Sequence, residues 1–203
     1  MARHRAHGHK VLRYAAPMIL ILHAHPYPQR SRAGHALLEA ARQVSGVEVR
    51  SLYDLYPDFD IDVAAEQAAL QRAGLIVWLH PVYWYSVPGL LKHWFDVVLL
   101  RGFAYGDGDG GDALRGKHCL WVPSTGGSRE SYASGGAHHV AFSAFEAPLR
   151  QTALFCGMQW LPPLVVHAAH ASSAAALATS ALAFRARLAA WTDANTGKPP
   201  NAH

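Results

Sequence analysis

A chain of 203 residues that is 51% hydrophobic and only 16% charged has enough apolar side chains for one packed core and too few charges for a disordered chain. Four of its 18 basic residues, Arg3, Arg5, Lys10 and Arg13, lie in the acid-free opening MARHRAHGHKVLRYAAP, which leaves 14 against 14 acidic residues elsewhere. A neutral body excludes a nucleic-acid surface built on net charge, and no apolar run reaches the roughly 20 residues of a membrane helix.

The opening, residues 1–17, has no apolar stretch of signal-peptide length. It reads as a disordered leader, or as a start codon assigned upstream of Met18; a metal-binding tract of His4, His7 and His9 is the sharper alternative. From Met18 the chain reads as one domain to about residue 195, with a frayed tail over 196–203. MILILH, Met18–His23, is a continuous apolar run, a strand buried on both faces. Ser31 caps a helix expected to run to about Ser45, stopped by Gly46. Val47 to Leu52 alternates as a second strand. LYPDFDID is a loop whose Asp60 or Asp62 caps a helix to about Arg72, ended by Gly74. Leu75–His80 is the third strand, broken by Pro81.

VYWYSVPG leads into a helix over about Leu90–Leu100. The glycine- and aspartate-rich stretch GFAYGDGDGGDALRG is a mobile surface loop, and it lacks the terminal Glu of a calcium-binding EF-hand. His118–Ser124 is the fourth strand, followed by the long polar loop TGGSRESYASGGAHH. A helix around Phe145–Cys156 ends at Gly157. MQWLPPLVVH is the fifth strand region, weakened by Pro162 and Pro163, and Ala174–Ala194 is a terminal helix. Cys119 and Cys156 read as buried free thiols. Five strands alternating with helices predict an α/β doubly wound parallel sheet in the order 2-1-3-4-5, the flavodoxin-like arrangement.

Ligands of such sheets bind beyond the carboxyl ends of the strands, where the strand order reverses. Three unusual loops converge there. The first runs from His25 through Ser31, Arg32, Ala33 and Gly34 into a helix N-terminus, which favours an anion. His25 reads as a hydrogen-bond donor to a phosphate; a metal site on His23 and His25 lacks further ligands. The second places Val82, Tyr83, Trp84 and Tyr85 after Pro81, a wall for a planar ligand, a dimer contact or a core plug. The third opens Ser124, Thr125, Gly126, Gly127, where glycines let backbone amides approach a flat ring. Farther along it, Tyr132 and His138 are candidate proton donors or relays.

The stretches AHPYP with Ser31, SLYDLYPDF, AAEQ, HPVYWYSVPGLLKHWFDVVL, AYG, STGG and CGMQWLPP together carry a resemblance that spans Met18 to about Trp191. The chain resembles the NAD(P)H:quinone reductase family of the flavodoxin-like fold. Within it, the chain is most similar to the small bacterial branch that serves glutathione-regulated potassium efflux systems. The resemblance implies a homodimer with one FMN per subunit, FAD being the less favoured flavin. It implies a two-electron, ping-pong reaction in which NAD(P)H is the co-substrate and a quinone the acceptor. It also implies an alternative or additional role as ancillary subunit of a membrane potassium/proton antiporter, hence a cytoplasmic protein, peripheral at the inner face of the membrane through that partner. By position it assigns flavin contacts to His25, Ser31–Gly34, Val82–Tyr85 and Ser124–Gly127, and reaction chemistry to Tyr132 and His138. Gly34 stands where the family usually has Asn, Tyr83 where many members have Gln, and Ser124 where Thr is usual.

Overall fold

A computed structural model describes residues 18–106 and 110–196. The leader, residues 107–109 of the glycine-rich loop and residues 197–203 lie outside the described residues, and with them the expectations made for those segments.

Five parallel strands form one sheet in the order β2-β1-β3-β4-β5: β1 Met18–His23, β2 Val47–Ser51, β3 Ala73–Pro81, β4 His118–Ser124 and β5 Gln159–Leu161. The helices are α1 Arg32–Ala41, α2 Leu52–Leu55, α3 Val63–Arg72, α4 Gly89–Val98, α5 Ala147–Phe155 and α6 Ala174–Asn195. Strand side chains alternate between the two faces. Ile19, Ile21, Leu75, Val77, Leu79, Leu120 and Val122 pack under α1 and α6 through Leu37, Leu38, Leu177, Phe184 and Leu188. Leu20, Leu22, Ile76, Trp78, Cys119 and Trp121 pack under the other helices through Leu70, Leu91, Trp94, Phe95 and Leu149. Central strands covered on both faces account for their unbroken apolar runs.

Several boundaries differ from the sequence reading. α1 ends at Ala41, because Gln43 and Val44 turn back onto Ala40 and Ala41 in tighter three-residue bonds of 3.3 and 2.9 Å before Gly46 reverses the chain at φ 79°. β3 begins at Ala73 and runs through Pro81; Gly74 is a strand residue against which the Trp191 ring lies, a Cβ there falling 3.0 Å from Trp191 Cη2. A short helix, α2, occupies the start of the expected loop. The fifth strand is only three residues long. After Pro162 and Pro163 the chain rejoins the end of β4 through Leu164 N–H to Trp121 O (3.0 Å) and Val166 N–H to Pro123 O (2.9 Å).

Two buried polar devices lock the frame. Glu66 on α3 is fully buried and accepts from Arg50 Nε (2.7 Å), Tyr56 Oη (2.6 Å) and Trp94 Nε1 (2.9 Å), joining β2, α3 and α4. Lys117 donates to Gln71 O (2.9 Å) and Ala73 O (2.5 Å), satisfying carbonyls at the end of α3 with a cation. No helix among the described residues is long and apolar enough to cross a membrane.

Candidate functional site

The strand order reverses between β1 and β3, and a cleft opens at their carboxyl ends. His25, Arg30, Ser31, Arg32 and Ala33 line it from the β1–α1 loop, Pro81, Val82 and Tyr83 from the end of β3, and Ser124, Thr125 and Gly126 from the end of β4. Ala169 and His170 complete it. Those two come from a fourth segment that sequence reasoning did not include. It is zipped to the β4 loop by Thr125 N–H to Val166 O (2.9 Å), Ala168 N–H to Gly127 O (2.9 Å) and Ala169 N–H to Thr125 O (2.8 Å). No local signal marks such pairing, because the partners lie some forty residues away in sequence.

One end of the cleft suits an anion. Ser31 is the N-cap of α1; its Oγ accepts from Gly34 N–H (3.1 Å) and its carbonyl from His35 N–H (2.9 Å). The amides of Arg32 and Ala33 precede that ladder and open toward the cleft end of the helix. Gly34 itself is buried behind the cap: its amide is engaged, and a Cβ there would collide with Ser31 Oγ and fall 3.2 Å from His23 Nε2. Gly34 thus supplies space rather than a donor. His25 Nδ1 accepts from Tyr27 N–H (3.0 Å), so the neutral ring carries its proton on Nε2. Burial, then the nearby His170 and His35, hold His25 below the usual histidine range, which makes it a neutral donor. Burial, then His25, push His23 down to about 4. The lining contains Arg30 and Arg32 and no carboxylate.

Tyr83 and Ser86 exchange backbone bonds of 3.1 and 3.0 Å around a two-residue turn in which Trp84 (φ 48°) and Tyr85 (φ 64°) are both left-handed. Turns of this hand usually employ Asn-Gly; two bulky residues there cost on the order of 1–2 kcal/mol each. Tyr83, Trp84 and Tyr85 are 37%, 92% and 49% exposed, which rules out the core-plug reading. Tyr83 meets His25 edge-on at 6.3 Å, whereas Tyr85 stacks on Phe145 at 5.3 Å and places its hydroxyl 3.4 Å from His138 Nδ1.

At the other end, the Thr125 amide is engaged by Val166, while the amides of Gly126 and Gly127 meet no carbonyl of the described residues. Gly127 lies against the reaction candidates: a Cβ there would sit 2.8 Å from His138 Nε2 and 3.1 Å from Tyr132 Cε2. Tyr132 is buried and stacks flat on His138, with ring centroids 4.2 Å apart at 14°. His80, near the end of β3, braces this corner through Trp121. It donates from Nδ1 to Pro81 O (2.9 Å), accepts at Nε2 from Trp121 Nε1 (2.8 Å), and burial pushes it down to about 4. Trp121 in turn stacks on Phe142, which meets Tyr132 edge-on at 5.2 Å. Both cysteines are free and buried; burial pushes Cys119 well up and Cys156 up to about 11, so neither is a thiolate nucleophile at neutral pH.

The nine expected residues His25, Ser31, Arg32, Ala33, Val82, Tyr83, Ser124, Thr125 and Gly126 therefore share one cleft, with Gly34 behind its cap and Gly127, Tyr85, Tyr132 and His138 in an adjoining aromatic corner. The geometry offers unengaged helix-start amides and a neutral imidazole at one end, and unengaged glycine amides under aromatic rings at the other. That donor set suits a planar ring carrying a phosphate.

The chain matches the family described as having a flavodoxin-like fold over residues 17–188. It is 52% identical over 180 residues to the glutathione-regulated potassium-efflux system ancillary protein KefF of Salmonella typhi, covering 89% of this chain and 100% of that protein. Among solved structures it is similar to the general stress protein 14 of Treponema denticola in complex with FMN, at 35% identity and TM-score 0.76, covering 88% of this chain and 99% of that one. It is also similar to an NADPH-quinone reductase from P. pentosaceus, at 31% identity and TM-score 0.75, covering 84% and 97%.

Proposed function

The chain belongs to the flavodoxin-like fold family, and from that premise we propose that it is an FMN-dependent NAD(P)H:quinone oxidoreductase. The observation that carries the reading is the acid-free cleft, with the open end of α1 on one side and the Gly126–Gly127 amides beside the Tyr132–His138 stack on the other. Similarity to an FMN complex and to an NADPH-quinone reductase supports the cofactor and the reaction class.

In this reading Ser31, Arg32, Ala33 and His25 Nε2–H hold the phosphate. Val82, Tyr83, Trp84 and Tyr85 wall the ring, and the amides of Gly126 and Gly127 donate to its polar edge. FMN supplies the two-electron hydride chemistry. The chain's own work is to orient, exclude water and manage protons. Preorganised amides stabilise negative charge as it develops, because they need no reorganisation. His138 has Nδ1 beside the Tyr85 hydroxyl and Nε2 toward Gly127; with Tyr132 it donates the proton that a reduced quinone oxygen takes up. The same cleft serves NAD(P)H and then the quinone, which gives ping-pong kinetics. The exposed Trp84 and Tyr85 belong to a homodimer contact at the rim of the site, and the protein works in the cytoplasm.

The test is direct. The purified protein is expected to be yellow, to hold one FMN per chain, and to oxidise NADH or NADPH when a quinone is supplied. A colourless protein that takes up no FMN refutes the reading.

A second reading rests on 52% identity along the whole length of a potassium-efflux ancillary protein: the chain is a regulatory subunit of a membrane potassium/proton antiporter, with reductase activity secondary. Co-purification with the antiporter's cytoplasmic domain and efflux restored by a catalytically dead variant are the expected results; efflux that tracks reductase activity refutes it.

A further inference from the structure

His167 lies outside the cleft lining, yet it touches the β4 loop at Thr125 and Tyr132. Its Nδ1 is 3.2 Å from Thr125 Oγ1. That hydroxyl has one proton, and it goes to Gly127 O at 2.7 Å, since a carbonyl can only accept. His167 must therefore donate from Nδ1, which fixes its tautomer. Burial holds its ring below the usual histidine range, so the neutral form is the working one. The ring is also wedged between Tyr132 (5.7 Å, 44°) and Phe142 (5.2 Å, 80°). The next residue, Ala168, takes φ 51°, a left-handed conformation that L-residues rarely adopt. That twist accompanies consecutive bonds, from Ala168 N–H to Gly127 O and from Ala169 N–H to Thr125 O. Gly127 O thus receives two donors, and Thr125 is held through its amide, carbonyl and hydroxyl.

We propose that His167 is a positioning residue: through the Thr125 hydroxyl it fixes the direction in which the Gly126 and Gly127 amides face the cleft. The chain of bonds is His167 Nδ1–H to Thr125 Oγ1, then Thr125 O–H to Gly127 O. Without the first bond the hydroxyl keeps only its bond to Gly127 O, and the turn that aims the amides loses its outer brace. The consequence for ligand binding rests on the flavin reading given above; the brace itself does not.

Two substitutions separate the hydrogen bond from the packing. His167→Phe keeps a ring between Tyr132 and Phe142 and deletes the donor. His167→Asn keeps a donor near Nδ1 and deletes most of the ring. FMN titration of the flavin-free full chain, followed by fluorescence, is paired with amide hydrogen exchange of the segment covering Gly126–Ser128. H167F is expected to bind FMN about tenfold more weakly, the factor carried by one hydrogen bond of ordinary strength, and to exchange faster in that segment. H167N is expected to restore both. Wild-type exchange in H167F overturns the inference, as does H167N as impaired as H167F, or faster exchange with unchanged FMN affinity. A wild-type chain that takes up no FMN refutes the flavin reading instead; the exchange measurement on the same proteins then still decides whether His167 braces the loop.

Discussion

Replacing Gly127 by alanine adds one methyl group where three side chains already meet. The new Cβ would stand 2.6 Å from Ser131 Oγ, 2.8 Å from His138 Nε2 and 3.1 Å from Tyr132 Cε2, against the roughly 3.5–4.0 Å at which carbon contacts are most favourable. Gly127 is not among the left-handed residues, so the penalty is steric and not conformational. Ser131 yields only by giving up its 2.6 Å bond to Ser128 O, worth about 1 kcal/mol. Tyr132 is held among His138, Phe142, Phe145 and His167 and has no direction in which to retreat without shifting one of them. Overpacking of this kind costs about 1–3 kcal/mol, and each kcal/mol lowers the melting temperature of a domain this size by roughly 2–4 °C. Displacing Tyr132 and His138 by several tenths of an ångström should slow quinone reduction by roughly tenfold to a hundredfold. Gly126→Ala is the control for stability, because its Cβ meets only His170 Cδ2 at an ordinary 3.7 Å. Melting curves and steady-state kinetics on both variants check the reasoning. G127A that melts and turns over like wild type refutes it.

Glu66→Ala leaves Arg50 without its buried partner and Trp94 Nε1 and Tyr56 Oη without their acceptor; urea unfolding is expected to show a loss of about 3–5 kcal/mol, and a loss below 1 kcal/mol would mean the cluster relaxes into water. Burial holds His80 at about 4 in the folded chain, and burial with the nearby His25 does the same for His23. Their unfolded rings protonate near 6.5, so stability present above that pH is lost as pH falls toward 4, by on the order of 3 kcal/mol per ring. Urea midpoints across pH 7 to 4 measure this, and His80→Leu should flatten the slope; an unchanged slope in H80L contradicts the assignment. His138→Ala should retain FMN while quinone turnover falls by roughly a hundredfold or more, and unchanged turnover removes His138 from the reaction.

The sheet was legible because its signal is local. MILILH and HCLWVPS appear in the structure as β1 and β4 at the expected residues, since a strand covered on both faces has to be apolar throughout. Ser31 announced the start of α1 in the same way, by chemistry that acts within three residues. The left-handed pair Trp84–Tyr85 was not legible, because neither residue carries a preference for that backbone; the closing bonds of Tyr83 and Ser86 impose it. Nor was the space that Gly34 leaves for the Ser31 cap to close against His23.

The strand positions and the three loops could be read from the chain because burial periodicity and capping are written within a few residues of where they act, and the strand order followed from the alternation of strands with helices. The fourth wall of the cleft, the amides that stay unengaged and the tautomers of His80 and His167 were set by the tertiary fold. Those features depend on hydrogen-bond partners chosen from residues distant in the chain. Thr125 finds Val166, Ala169 and His167, and His80 finds Trp121, only after the sheet has brought them within 3.2 Å.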